Sequence, residues 1–326
     1  MCNEKTVLYM VIPCYNEEKI FEDSRYKLKN KIMSLINRGK ISSNSKICFI
    51  NDGSSDHTWE MIEQAHKEDD IFSGLCLSHN EGHQNAVMAG LMTVKPYCDI
   101  TISMDADLQD DIDAIDNMVD KYHNGCDIVY GVRSSRKKDS LFKRLTAEGY
   151  YRFLQTMGVH IIYNHSDFRL MDAKALDAMA KFKEVNLFLR GIVPMIGLKW
   201  DCVYYERKER IAGESKYPLR KMLSFAWQGI TSLSTEPIKA ITKLGLGISL
   251  ISTIIFIWAL YRYFMGETIL GWTSLMISFW LLGGLILFSI GIIGEYIGKI
   301  YLEVKHRPRY IIDKFLDTNK GDTIHE

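Results

Sequence analysis

The chain has no Cys-x-x-Cys pair; its seven cysteines are scattered singly over 326 residues. That scatter excludes a zinc-ligand set of the finger or ribbon type. It also lacks net charge: 40 Lys and Arg balance 40 Asp and Glu, and the pI is near 7.1. Nothing global therefore argues for a nucleic-acid partner. No Gly-x-Gly-x-x-Gly follows the first expected strand, which disfavours a dinucleotide-dependent dehydrogenase; Gly245-Leu246-Gly247 lies inside an apolar run. No internal repeat or low-complexity tract stands out, and no signal-peptide pattern opens the sequence. The expectation is a reduced, cytosolic catalytic half.

What is present is a set of carboxylate-rich clusters, each at the end of an apolar run. Ile100 to Ser103 leads into Met104-Asp105-Ala106-Asp107-Leu108-Gln109-Asp110. If the strand continues, residues i and i+2 point the same way, so Asp105, Asp107 and Gln109 share a face. Hard oxygen donors of this kind suit Mg²⁺ or Mn²⁺ together with substrate phosphates; the bland alternative is a solvated acidic turn. Val7 to Pro13 leads similarly to Cys14-Tyr15-Asn16-Glu17-Glu18, and Ile47 to Ile50 to Asn51-Asp52-Gly53-Ser54-Ser55-Asp56. Leu75 to Ser78 leads to Asn80-Glu81-Gly82-His83-Gln84-Asn85-Ala86, with a helix through Val94. Helical stretches between the runs predict an α/β domain with a mainly parallel, doubly wound sheet. Such sheets bind ligands beyond the carboxyl ends of their strands, where all four clusters fall.

Asp52 reads as an acceptor for the base or ribose of a nucleotide, beside a helix-capping role for Ser55 or Asp56. Glu17 and Glu18 read first as helix-capping residues, with a base contact as the alternative. His83 reads as a loop or substrate contact rather than a metal ligand.

Taken in order, these clusters resemble the family 2 inverting glycosyltransferases, and within them the polyprenyl-phosphate sugar transferases (bactoprenol glucosyltransferases, dolichol-phosphate mannosyltransferases). Gly131-Val132-Arg133, Ser166-Asp167-Phe168-Arg169-Leu170 and Gly294-Glu295-Tyr296-Ile297-Gly298 extend the likeness over nearly the whole chain. The resemblance implies a GT-A nucleotide-sugar-binding domain. It implies that Asp52 holds the base, Asp105 the ribose or metal, and Asp107 with Gln109 the metal. Pro13, Tyr15, Glu17 and Ala106 complete the implied nucleotide site. Asp167 stands where the family places its candidate base, and Arg133, then Arg169, then Lys216 are the cations expected to meet phosphate. A processive polysaccharide synthase normally adds Gln-x-x-Arg-Trp, whereas this chain has Asn186-Leu187-Phe188-Leu189-Arg190-Gly191 and no Trp there.

Beyond Lys239 the composition changes. Leu244 to Tyr261 is an 18-residue run without charge and Thr268 to Gly294 one of 27. A bilayer span takes about 20 apolar residues, so a two-helix transmembrane hairpin is expected. Lys239 and Lys243 precede it, and Lys299, Lys305, Arg307 and Arg309 follow it. The positive-inside rule puts both long ends in the cytosol, at the plasma (inner) membrane. Leu219, Leu223, Ala226, Trp227 and Ile230 recur at helical spacing beside Arg220 and Lys221. That pattern fits an interfacial amphipathic helix, or a helix packed on the catalytic domain. The expected organisation is a GT-A domain at 1–216, an interfacial region at 217–238, the hairpin at 239–298 and a basic tail at 299–326. Gly294 and Gly298 have the small-residue spacing that permits close helix packing, compatible with a homo-oligomer.

The expected partners are a nucleotide sugar, probed first as a UDP-sugar, a polyprenyl phosphate acceptor and the lipid bilayer. A phosphate monoester has its second pKa near 6, so this nucleophile is already ionised at neutral pH. Asp167 then reads as an orienting carboxylate as readily as a base, with pairing to Arg169 as the purely structural alternative. A transferase to a lipid-borne hydroxyl, and a catalytically silent membrane scaffold, are the competing classes.

Overall fold

A computed structural model describes residues 5–134, 162, 165–185, 187–206, 230–232, 234–265 and 271–318. Lys216, the Gly213-Glu214-Ser215 segment before it and the expected interfacial helix up to Gly229 lie outside the described residues. The described chain divides into two units, one formed by residues 5–206 with 307–318 and the other by 230–306.

The first unit alternates strands and helices: β1 (Leu8–Cys14), α1 (Glu18–Asn37), β2 (Lys46–Asn51), α2 (Thr58–Glu68), β3 (Phe72–Leu77), α3 (His83–Val94) and β4 (Ile100–Ser103). Then follow α4 (Ala114–His123), β5 (Ile128–Arg133), β6 (His165–Asp172), α5 (Ala173–Met179), α6 (Leu189–Met195) and β7 (Trp200–Tyr205). β1 to β4 are buried at every position, as strands covered on both faces should be. α1 buries Phe21, Ser24, Leu28, Ile32 and Leu35 on one stripe. It stops where Gly39 takes φ +70° and the Gly39 and Lys40 N–H groups donate to the Ile36 and Leu35 carbonyls, a Schellman closure.

One eight-stranded sheet runs β7-β5-β6-β4-β1-β2-β3-β8, with β8 at Ile312–Leu316. β1 pairs in parallel with both β2 and β4, which opens the crevice expected of a doubly wound sheet at the carboxyl ends of β1 and β4. Two strands, β6 and β8, run against the rest. The β4–β6 register pairs Ser103 with Arg169. Carried two residues further, it sets Asp167 opposite Asp105, at the same sheet edge.

β8 is a strand that the sequence pattern did not give, since this stretch read only as a basic tail. It closes the β3 edge, pairing Leu75 with Phe315. Asp317 just after it is buried and takes Lys46 Nζ at 2.7 Å and the Tyr9 hydroxyl at 3.0 Å. The chain thus returns to the sheet after the second unit.

That second unit is built on α7 (Glu236–Phe264, 29 residues) and α8 (Trp272–Val304, 33 residues). Both are long and apolar enough to cross a bilayer. Apolar side chains such as Leu246, Ile254, Trp258, Phe279 and Leu287 are exposed, unlike those of a soluble core helix. The Tyr296 hydroxyl donates to the Ser234 carbonyl and Lys299 Nζ to the Thr231 and Ser232 hydroxyls, fixing the turn ahead of α7.

Candidate active site

The loops after β1, β2 and β3 are stitched together at the crevice. Asn16 adopts φ +56°, and its side-chain oxygen accepts the Ser55 N–H at 2.8 Å while its own N–H donates to the Ser54 hydroxyl. Asp56 accepts from the Thr58 N–H and hydroxyl and from the Glu18 N–H, so one carboxylate supports the starts of two helices. Gly53, at φ +63°, lies so close to the β3 loop that a Cβ would come within 2.5 Å of the Asn80 nitrogen. The close approach lets Asp52 accept the Glu81 N–H at 2.8 Å and the Gly82 N–H at 3.1 Å. Burial raises the Asp52 pKa against the pull of those N–H groups. Both oxygens of Asp52 therefore brace a loop, which its expected role at the base did not anticipate.

Pro13 is buried within β1, Tyr15 is exposed just beyond it, and Glu17 occupies the position before α1 without a side-chain capping bond. The carbonyl of buried Ala106 accepts the Ser24 hydroxyl at 2.7 Å, which ties the acidic turn to α1.

The acidic turn departs from the expected extended alternation. β4 ends at Ser103. The chain then turns, with the Leu108 N–H donating to the Asp105 carbonyl and Leu108 itself at φ +46°. Asp105 and Asp107 remain accessible, but Gln109 is 4% exposed, and its side-chain nitrogen is buried without a hydrogen-bond partner. Its backbone N–H caps Asp107 Oδ1 instead. The turn, not a continued strand, sets the geometry, so the three residues do not share one face as expected.

Asp105 keeps 41% of its side-chain exposure. Crowding by protein nevertheless pushes its pKa up to about 6; burial is the main cause, His83 opposes it, and the carboxylates of Asp167, Asp110 and Asp107 add to it. His83, the first residue of α3, places Nε2 3.6 Å from Asp105 and 3.6 Å from Asp167. Burial lowers the His83 pKa, but the two carboxylates outweigh it and the net shift is upward.

Asp167 is the hub of the opposite side. Arg169 Nη2 donates to Oδ1 at 2.9 Å, Arg190 Nη2 to Oδ2 at 3.0 Å and Arg190 Nε to Oδ1 at 3.3 Å. Burial alone would raise its pKa, yet Arg190, His83 and Arg169 hold it well below the usual carboxylate range. Arg169 does not fit its expected place at phosphate. Its side chain is 2% exposed, with Nη1 on the Leu189 carbonyl and Nε buried without a partner, so it underpins Asp167 from within. Arg133 reaches Asp110 Oδ1 at 3.2 Å, the oxygen that also accepts the Tyr205 hydroxyl at 2.6 Å. Lys216 lies outside the described residues.

The sequence reading gave no role to Arg190, to Tyr205 or to Gln84, whose side-chain oxygen accepts the Leu189 N–H at 2.8 Å. Arg190 had a legible signal: a lone charge in the apolar run from Leu187 to Met195 must find a partner or face a ligand. Tyr205 had none, because its partner lies 95 residues away.

Asp105 and Asp107, just beyond the end of β4, thus lie across His83 from Asp167, which two arginines clamp. Residues 9–179 match the glycosyl transferase family 2 domain. The chain is 51% identical over 313 residues to the "Uncharacterized glycosyltransferase YkoT" of Bacillus subtilis, covering 96% of this chain and 93% of that one. It is 38% identical over 307 residues to the SfII prophage-derived bactoprenol glucosyl transferase of Shigella flexneri, covering 94% and 97%. Among solved structures it is similar to glucosyl-3-phosphoglycerate synthase from Mycobacterium tuberculosis, at 16% identity and a TM-score of 0.44 over 70% of this chain and 77% of that one. The chain belongs to glycosyl transferase family 2, and its α/β unit is a GT-A domain.

Proposed function

We propose that this glycosyltransferase moves a hexose, with inversion, from a UDP-sugar to the phosphate of a polyprenyl phosphate. The product is a polyprenyl monophosphate sugar for modification of the cell envelope. The likeness to the Shigella bactoprenol glucosyl transferase over nearly the full length supports the acceptor. The single observation that carries the reading is the state of Asp167. A carboxylate held ionised by two guanidinium groups has too little proton affinity to deprotonate a sugar or lipid hydroxyl. It fits an acceptor whose nucleophilic oxygen is already ionised.

The donor set fits a hard divalent cation. Among the described residues no three Asp, Glu, His or Cys side chains form a ready cation cage, which suits an ion held by one or two carboxylates and the donor's own phosphates. Burial raises the Asp105 pKa, and the carboxylates of Asp167, Asp110 and Asp107 add to the rise; a bound cation would oppose it. Asp105 and Asp107 would hold it, and Gln109 only after turning its buried amide outward. Mg²⁺ or Mn²⁺ held there would supply charge stabilisation to a departing diphosphate.

α7 and α8 are read as a transmembrane hairpin at the plasma membrane. Support comes from β8: it pairs with β3, so the chain before α7 and the chain after α8 belong to one folded sheet. Bilayer crossings between them must then be even in number. With basic residues flanking the pair, the GT-A domain and both ends lie in the cytosol. An acceptor anchored in the bilayer is thereby presented to a tethered domain.

The test is transfer of labelled hexose from a panel of nucleotide sugars to undecaprenyl phosphate by the purified protein in detergent with Mn²⁺. Label in the lipid phase from a UDP-sugar, lost with EDTA, supports the reading. Donor hydrolysis without labelled lipid contradicts the acceptor assignment.

A further inference from the structure

Arginine surroundings on the Asp167 side divide three candidates for an incoming anion. Arg169 is sealed beneath Asp167 and touches no open surface. Arg133 is committed to Asp110 and leans on the same oxygen as Tyr205. Arg190, in the first turn of α6, is different. It lays Nε and Nη2 side-on against both oxygens of Asp167, and its side chain is still 42% exposed.

Its position is also fixed from below. The Leu189 N–H donates to Gln84 on α3, the residue after His83. One helix start therefore sets both the imidazole between the two carboxylates and the turn that carries Arg190. One carboxylate, Asp167, is shared by two guanidinium groups, and of the two Arg190 is the one with an exposed side. A planar, partly desolvated guanidinium is the side chain best matched to a phosphate oxyanion.

We propose that Arg190 receives the acceptor's phosphate, holding its nucleophilic oxygen beside Asp167 and across His83 from the donor carboxylates. This rests on the phosphate-acceptor reading above. The oxygen so held bonds to the anomeric carbon as that carbon's bond to the diphosphate oxygen breaks. The bonding pair leaves with the nucleoside diphosphate, and no proton has to move.

The experiment uses the full-length protein in detergent, with Arg190→Gln and Arg190→Lys. KM and kcat are measured against undecaprenyl phosphate, and UDP–Mn²⁺ affinity is measured separately by calorimetry without acceptor. Loss of a charge-assisted pair predicts an acceptor KM raised about tenfold or more in Arg190→Gln. Arg190→Lys, which keeps the charge but not the fork, falls between, and UDP affinity stays unchanged in both. A fall in kcat with acceptor KM unaltered in both variants would make Arg190 only a support for Asp167 and overturn the proposal. Lost UDP affinity would assign the guanidinium to the donor diphosphate and overturn it too. Should the wild-type protein label a lipid hydroxyl and not the phosphate, both this proposal and the acceptor reading fall. Wild-type transfer to the phosphate with both variants unaffected would overturn this proposal alone.

Discussion

Asp167 stands opposite Asp105 at the open edge of the sheet, with a single His83 nitrogen 3.6 Å from each. One strand pair produces this. β4 runs out toward the crevice and β6 runs back from it, so the exit of one and the entry of the other meet. The Ser103 hydroxyl, donating to the Asp167 carbonyl at 2.7 Å, locks the crossing. The two carboxylates are thus held at the ends of adjacent strands of one sheet.

Asp107→Ala is expected to reduce metal-dependent turnover by at least about a hundredfold, the scale of losing a main electrostatic contact in the transition state. Circular dichroism and detergent extraction behaviour should match the parent protein, because Asp107 sits in a partly open turn. Chelation should abolish turnover of the parent. Near-normal turnover of the variant at saturating Mn²⁺ contradicts the assignment.

Asp167→Asn is expected to impair turnover while leaving the shape of the pH–rate profile unchanged between pH 5 and about 8. Asp167 is held well below the usual carboxylate range, with burial outweighed by Arg190, His83 and Arg169. It is therefore ionised across that interval and contributes no limb to the profile. Disappearance of an ionisation near pH 5 to 7 in the variant would instead mark Asp167 as a general base.

His165 makes the catalytic domain acid-sensitive. It is buried, and burial with the nearby Arg169 lowers its pKa to about 4 from an ordinary value of 6.5. The unfolded chain then binds the extra proton between those two values. Stability is fully present above about pH 6.5 and declines as pH falls toward 4. At pH 5 the loss from this group is about 2 kcal/mol. Thermal melting of the detergent-solubilised protein should show the decline, and His165→Gln should flatten it. An equal slope in the variant contradicts the assignment.

The return strand should matter for stability out of proportion to its five residues. Lys46→Ala leaves the buried Asp317 without its cation, a change that typically costs about 3 to 5 kcal/mol. Lys46→Ala and Asp317→Ala together should be less harmful than the two single costs added. A Lys46→Ala protein that melts like the parent would mean that β8 is dispensable to the sheet.

Much of this was legible in the chain itself. The first four strands could be placed from continuous apolar runs ending in polar clusters, and that pattern also located the crevice. The two long apolar helices followed from uncharged length alone. Three features were not legible, the first because it lies in a local backbone angle and the other two because they depend on residues far apart. The acidic turn breaks the extended alternation at Leu108, whose left-handed φ no hydropathy pattern records. Arg169 reads as a ligand-binding cation, yet the sheet buries it under Asp167. β8 is short, and its Asp317 finds Lys46 only 271 positions back along the chain.

In the proposed reaction a phosphate oxygen, already ionised, is the nucleophile. The most direct measurement gives the purified protein two acceptors with the same isoprenoid chain, undecaprenyl phosphate and undecaprenol, with labelled UDP-sugar and Mn²⁺. A phosphate nucleophile predicts label in the phosphate lipid and none in the alcohol. Label in the alcohol at a comparable rate would contradict it.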